Sequence, residues 1–232
     1  SGEAFSSVTE ADGIYQPVFA VKGLAGAVYE ITTAEDIITP DGTLRYAAGE
    51  VVDTVTTDET GLAESKPLYL GKYEVREITA PTGYVLNTEV RTAELVYAGQ
   101  EVEITETAAD FCNERQKAAV SLDKVLEQDE RFGIGKSGEL SAVTFGLFAA
   151  EELTATDGSI IPADGLLEIV SVDENGHAIC KTDLPFGTYY LKELSTDGHY
   201  ILSDEKHPIV FEYAGQDTAL VEIKANGGAP IE

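Results

Sequence analysis

Short stretches of alternating apolar and polar residues recur along the whole chain and predict β-strands. Alternation runs through Tyr73-Glu74-Val75-Arg76-Glu77, Ala119-Val120-Ser121-Leu122-Asp123-Lys124 and Ala219-Leu220-Val221-Glu222-Ile223. Turn formers such as Pro40-Asp41-Gly42, Asp58-Glu59-Thr60-Gly61, Ala163-Asp164-Gly165 and Asp173-Glu174-Asn175-Gly176 punctuate these strands. Short strands at this spacing predict an all-β sandwich or barrel. One helical turn is expected around Thr33 to Ile37 and another around Ala149 to Leu153.

The strand pattern repeats. An offset of 116 residues lays Tyr97-Ala98-Gly99-Gln100 on Tyr213-Ala214-Gly215-Gln216, and Leu24, Gly71, Tyr73, Glu77, Tyr84 and Leu86 on Leu140, Gly187, Tyr189, Glu193, Tyr200 and Leu202. The unit is too long for a solenoid repeat and has a normal size for a domain with its own core. The expected organisation is two tandem β-sandwich domains, residues 1–115 and 116–232.

The same alternation directs charged side chains inward. Residues two apart share one face of a strand, so Glu77 travels with Tyr73 and Val75, and Glu193 with Tyr189 and Leu191. Lys124 shares a face with Val120 and Leu122, and Asn113 with Phe111. An isolated buried carboxylate or ammonium is costly, so these groups must find partners or change protonation state. A desolvated, neutral lysine amine is a nucleophile. A neutral glutamic acid could polarise an asparagine carboxamide and then pass its proton to departing ammonia. The product would be a Lys–Asn isopeptide cross-link, formed once and not turned over. A buried ion pair, or a glutamate curling to the sheet edge, is the purely structural alternative.

Charge and composition narrow the setting. The net charge of −27 argues against a phosphate-binding surface, which needs clustered Lys and Arg, so no nucleic acid partner is expected. No apolar run approaches 18 residues, so no membrane insertion is expected in this stretch. Cys112 and Cys180 fall at unrelated places in the repeat and read as small buried or half-buried hydrophobes, without a disulfide framework. His177, His199 and His207 lack zinc spacing and read as solvated loop histidines, and the acidic turns lack the ligand spacing of a calcium loop; no metal and no cofactor are expected. No Ser, His and Asp set recurs in both copies, which argues against a hydrolase.

The stretch from Leu68 to Tyr84, with Gly71-Lys72-Tyr73 and Pro81-Thr82-Gly83-Tyr84, resembles the signature of Cna B-type or SpaA-like prealbumin-like domains of Gram-positive adhesins and pilins. Gly26-Ala27-Val28-Tyr29-Glu30-Ile31 resembles the family's strand entering the core, Phe111-Cys112-Asn113-Glu114 its closing strand and Val120-Ser121-Leu122-Asp123-Lys124 its opening one. The second copy departs from the signature at Ser195-Thr196-Asp197-Gly198-His199-Tyr200. The resemblance implies two prealbumin-like, inverse Ig-like sandwiches in which a first-strand lysine bonds a last-strand asparagine under an acidic catalyst. Glu77 and Glu193 take the catalyst's place, and Lys124 and Asn113 those of the cross-linked residues.

Each copy lacks one member. No lysine precedes Lys22, which lies only four residues before Gly26 and so too far along for an opening strand, while the uniform offset puts the counterpart of Lys124 near Val8. Asn226, the candidate acceptor of the second copy, sits in Asn226-Gly227-Gly228 and reads as a turn; alignment of the closing strands puts the acceptor one position after Glu232. The resemblance implies an extracellular, cell-wall-associated segment of stalk or shaft, non-enzymatic beyond the single-turnover bond, with further domains of the same polypeptide as partners. The alternative is an adhesin module binding a host matrix protein or glycan. The inserts from Thr39 to Asp53 and from Thr154 to Leu167 are the expected place for such binding.

Overall fold

A computed structural model describes residues 1–135 and 138–232. The chain is nearly all β and forms two compact units. Unit 1 comprises Ser1–Ala4, Val21–Arg115 and Gly215–Ala219; unit 2 comprises Phe5–Ala20, Gln116–Ala214 and Leu220–Glu232. The main stretches of the two units meet at residues 115 and 116, while Phe5–Ala20 packs with unit 2 and Gly215–Ala219 with unit 1.

The chain opens with β1 (Gly2–Ala11) and β2 (Ile14–Lys22). Asp12 and Gly13 join them, both with positive φ (53° and 78°), the backbone of a two-residue turn whose twist matches an antiparallel pair. In unit 1 follow β3 (Val28–Thr33), β4 (Ile37–Ile38), β5 (Leu44–Tyr46), β6 (Val51–Thr56), β7 (Gly71–Thr79) and β8 (Val90–Leu95). One sheet has the order β6-β3-β7-β8, and β4 pairs with β5. The opening and closing segments meet in a parallel bridge between Gly2 and Asn113.

Unit 2 repeats the plan on a larger core. Its strands are β9 (Lys117–Asp123), β10 (Thr144–Ala149), β11 (Leu153–Thr154), β12 (Ile160–Ile161), β13 (Leu166–Ser171), β14 (His177–Ile179), β15 (Gly187–Ser195), β16 (Lys206–Phe211) and β17 (Leu220–Lys224). The order β13-β10-β15-β16 reproduces β6-β3-β7-β8, and β14-β9-β17 forms the facing layer. Phe145, Leu147, Leu167, Tyr189, Leu191, Ile209 and Phe211 fill the space between the layers. The hairpin β1–β2 extends the first sheet by a parallel contact between Ile14 and Leu166. Phe5, Val8 and Tyr15 pack against the core there, and Gln16 Nε2 donates to the Leu167 carbonyl at 2.6 Å. An edge strand with unpaired amides is thereby covered.

The helical turns expected near residues 33–37 and 149–153 are bends that lead into β4 and β11. Short 3-10 turns form instead at Glu139–Ala142 and Ala225–Gly228. Cys112, expected to be at least half-buried, is exposed, because Phe111 and Asn113 take the two inward positions around it. His207, expected in solvent, is buried where β16 alternates inward with Ile209 and Phe211.

Candidate functional site

Strand parity carries both glutamates inside. On β7, Tyr73 and Glu77 are buried; on β15, Tyr189, Leu191 and Glu193 are. Each glutamate sits beside a register irregularity that both copies share. Tyr29 lies opposite Glu77 and Phe145 opposite Glu193.

In unit 1, Glu77 is 5% exposed and Asn113 3%. Asn113 Nδ2 donates to Glu77 Oε2 at 2.7 Å and to the Val85 carbonyl at 3.1 Å. The Asn87 amide donates to the same Oε2 at 2.7 Å. Asn113 Oδ1 is buried and meets no hydrogen-bond partner among the described residues. Burial, and then the charge and hydrogen bonding of Glu77, hold the Tyr29 phenol well above the usual tyrosine range. The carboxylate therefore touches the carboxamide nitrogen of Asn113.

Unit 2 holds the complementary half. Lys124 Nζ lies 3.4 Å from Glu193 Oε1, with side-chain exposures of 5% and 3%. The Ser203 amide donates to Glu193 Oε2 at 2.9 Å, as Asn87 does to Glu77. Phe145 replaces Tyr29, so no phenol reaches this carboxylate. Ile231, also buried, is the residue bridged to Lys124 on the closing segment.

Matching contacts show which positions of the two copies correspond. The Tyr84 hydroxyl donates to the Glu3 carbonyl, and its counterpart Tyr200 donates to the Glu127 carbonyl. Glu3 thus corresponds to Glu127, and the counterpart of Lys124 is the position before Ser1. Val8 is not that counterpart. The segment between the opening strand and β3 is longer than its equivalent in the second copy, so the uniform offset fails there. By the same correspondence Gly2 matches Leu126. Asn113 pairs with Gly2 and Ile231 with Lys124, which puts the counterpart of Asn113 at the first position after Glu232.

Lys22 is exposed and does not meet Glu77. Asn226 is exposed, and its amide donates to Ala229 and Pro230 carbonyls of its own turn. A shallow depression lined by Lys22, Leu24, Glu59, Ala80 and Tyr84 opens on unit 1, away from the inserts expected to bind ligand.

Two all-β units, each with a glutamate carried into a sandwich interior beside one buried polar partner, define the class. Residues 20–108 match the family described as SpaA, a prealbumin-like fold domain. The trypsin-resistant surface T6 protein of Streptococcus pyogenes serotype M6 is 32% identical over 80 residues, which are 34% of this chain and 15% of that protein. The TIE protein of Bacillus anthracis superposes with a TM-score of 0.51 at 22% identity, over 91% of this chain and 37% of its own. The minor pilin GBS52 of Streptococcus agalactiae aligns over 100% of this chain and 99% of its own, at 16% identity and a TM-score of 0.30. The chain thus spans a minor part of the first two. Among the described residues, no helix is long and apolar enough to cross a membrane.

Proposed function

We propose that this chain is a load-bearing segment of a Gram-positive surface adhesin or pilus-like protein, built to be locked by intramolecular Lys–Asn isopeptide bonds. The observation that carries the reading is the pair of complementary half-sites. Unit 1 presents a buried Asn113 carboxamide on Glu77, and unit 2 a buried Lys124 amine on Glu193. The likeness of an 80-residue stretch to a streptococcal surface protein supports the setting. In the reaction the lysine amine attacks the asparagine Cγ. The uncharged amine gives up one proton as the Nζ–Cγ bond forms, the glutamate relays that proton to Nδ2, the Cγ–Nδ2 bond breaks and ammonia leaves, which returns the glutamate to its starting protonation state.

Each bond would join the opening segment of a unit to its closing one. By analogy with a disulfide closing a loop of about 100 residues, it would stabilise by on the order of 4–5 kcal/mol through the unfolded state. Under tension a covalent link would carry the load that the parallel bridge alone would otherwise bear.

Intact-mass measurement tests the reading. Residues 1–232 are expected at their formula mass. A lysine placed immediately before Ser1 is expected to remove about 17 Da, and an asparagine placed immediately after Glu232 a further ~17 Da, as ammonia is lost to the lysine nucleophile. Glu77→Ala should abolish the first loss alone and Glu193→Ala the second alone. Unchanged mass in both extended chains, with the fold intact by circular dichroism, would overturn the proposal.

A further inference from the structure

Each copy of the repeat carries a loop and a place where such a loop can sit. The loops are Tyr97-Ala98-Gly99-Gln100 and Tyr213-Ala214-Gly215-Gln216, the same tetrapeptide. The seats are Ala80–Leu86 and its counterpart, residues 196–202.

Only one seat is filled. Gly215–Ala219 belongs to unit 1, although its sequence lies in the second copy. Gln216 Oε1 accepts the Ala80 amide at 2.9 Å, and the Gln216 carbonyl accepts the Leu86 amide at 2.9 Å. The Val85 amide is satisfied by the Glu114 carbonyl. One loop therefore uses a side chain and a main-chain carbonyl to pair two amides of the turn.

The other loop and the other seat are bare. Tyr97 is 66% exposed, with Val96 and Gln100 also in solvent. In the second seat Ile201 is 96% exposed and Leu202 is also exposed. Among the described residues, no acceptor meets the amide of Leu202, the counterpart of the Leu86 amide that the Gln216 carbonyl receives. Exposed apolar side chains beside unpaired amides are the mark of an unoccupied contact.

We infer that the seat at residues 196–202 binds the Tyr97–Gln100 loop of a second copy of this chain, with the Gln100 carbonyl receiving the Leu202 amide as the Gln216 carbonyl receives Leu86. The identical tetrapeptide argues for this occupant, as do the matched seat residues Tyr84 and Tyr200, and Leu86 and Leu202. Loop and seat are different surfaces, so the contact is head-to-tail and each added copy presents a fresh seat. Such an arrangement grows as an open row and does not close as a dimer. The net charge of −27 opposes it, so salt should strengthen the association by screening. The inference does not depend on the cross-link proposed above.

Sedimentation equilibrium of the full chain from micromolar to millimolar concentration tests it, at low and at high salt. The expected result is a mass-average weight that climbs past the dimer without a plateau and climbs further in high salt. Gln100→Ala combined with Tyr97→Asp should weaken association at least about tenfold, and so should Leu202→Pro, which removes the amide. Both sites are exposed, and unchanged melting temperatures would show that folding is intact. Mixing the two variants leaves one good loop and one good seat, so the mixture should form dimers and stop there. A monomer at every concentration, a plateau at dimer for the unaltered chain, or association indifferent to both variants would each overturn the inference.

Discussion

Replacing Lys124 by methionine isolates the energetics of the half-site in unit 2. The substitution keeps most of the volume of the buried stem and removes the charge that faces Glu193 at 3.4 Å. The carboxylate then keeps only the Ser203 amide, at 2.9 Å, while 3% exposed. A buried ionic partner stranded in this way costs about 3–5 kcal/mol. At roughly 4 °C per kcal/mol for a unit of this size, the melting point of unit 2 should fall by ~12–20 °C. The double variant Lys124→Met/Glu193→Leu removes both charges and should recover most of that loss, since an apolar replacement of a buried pair is often neutral or stabilising by about 1–4 kcal/mol. Urea unfolding followed by tyrosine circular dichroism reads the stability of the chain, which has no tryptophan. Amide exchange at Val120 and Leu147 assigns the effect to unit 2. A single variant costing less than ~1 kcal/mol, or a double variant as unstable as the single, would refute the reasoning.

Three further outcomes follow from the packing. Tyr15→Ala, although in the first copy's sequence, should lower the stability of unit 2 by about 1–2 kcal/mol and speed amide exchange along β13, because the Tyr15 ring packs on that core. Iodoacetamide at mildly alkaline pH should label exposed Cys112 quickly and spare Cys180 until unfolding, since burial and the Glu168 charge push the Cys180 thiol up to about 12. Spectrophotometric titration should show Tyr29 keeping its proton above the ordinary value of 10.0. As its folded-state pKa is raised, the stability it contributes is full below the unfolded value and declines as pH rises through the alkaline range; Tyr29→Phe should flatten that part of the stability profile.

Much of this was legible in the sequence. Parity on β7 and β15 put Glu77 and Glu193 inside because period two in a half-buried strand leaves a fifth residue no other face. The duplication and the turn at Asn226-Gly227-Gly228 were readable for similarly local reasons. The hairpin was not. Its residues alternate well enough for strands, but nothing local says that Ile14 pairs with Leu166, and Pro17 hides the β2 signal. That unseen insertion also misplaced the counterpart of Lys124, since one offset cannot cross a segment of unequal length. Asn113 was identified from its face alone. Its two hydrogen bonds, to Glu77 and Val85, depend on a closing segment that pairs with residue 2, a contact across almost the whole first copy.

The interchange of segments sets an order on synthesis. Residues 5–20 leave the ribosome first, yet the edge they cover, Leu166–Ser171, is made some 150 residues later. At ordinary elongation rates of about 5–20 residues per second, the hairpin waits on the order of ten seconds or more for its place. During that interval Phe5, Val8 and Tyr15 are unsheltered. Unit 1 likewise stays incomplete until Gly215–Ala219 emerges. Separating the polypeptide at residue 115 would leave each half without a strip of its own wall.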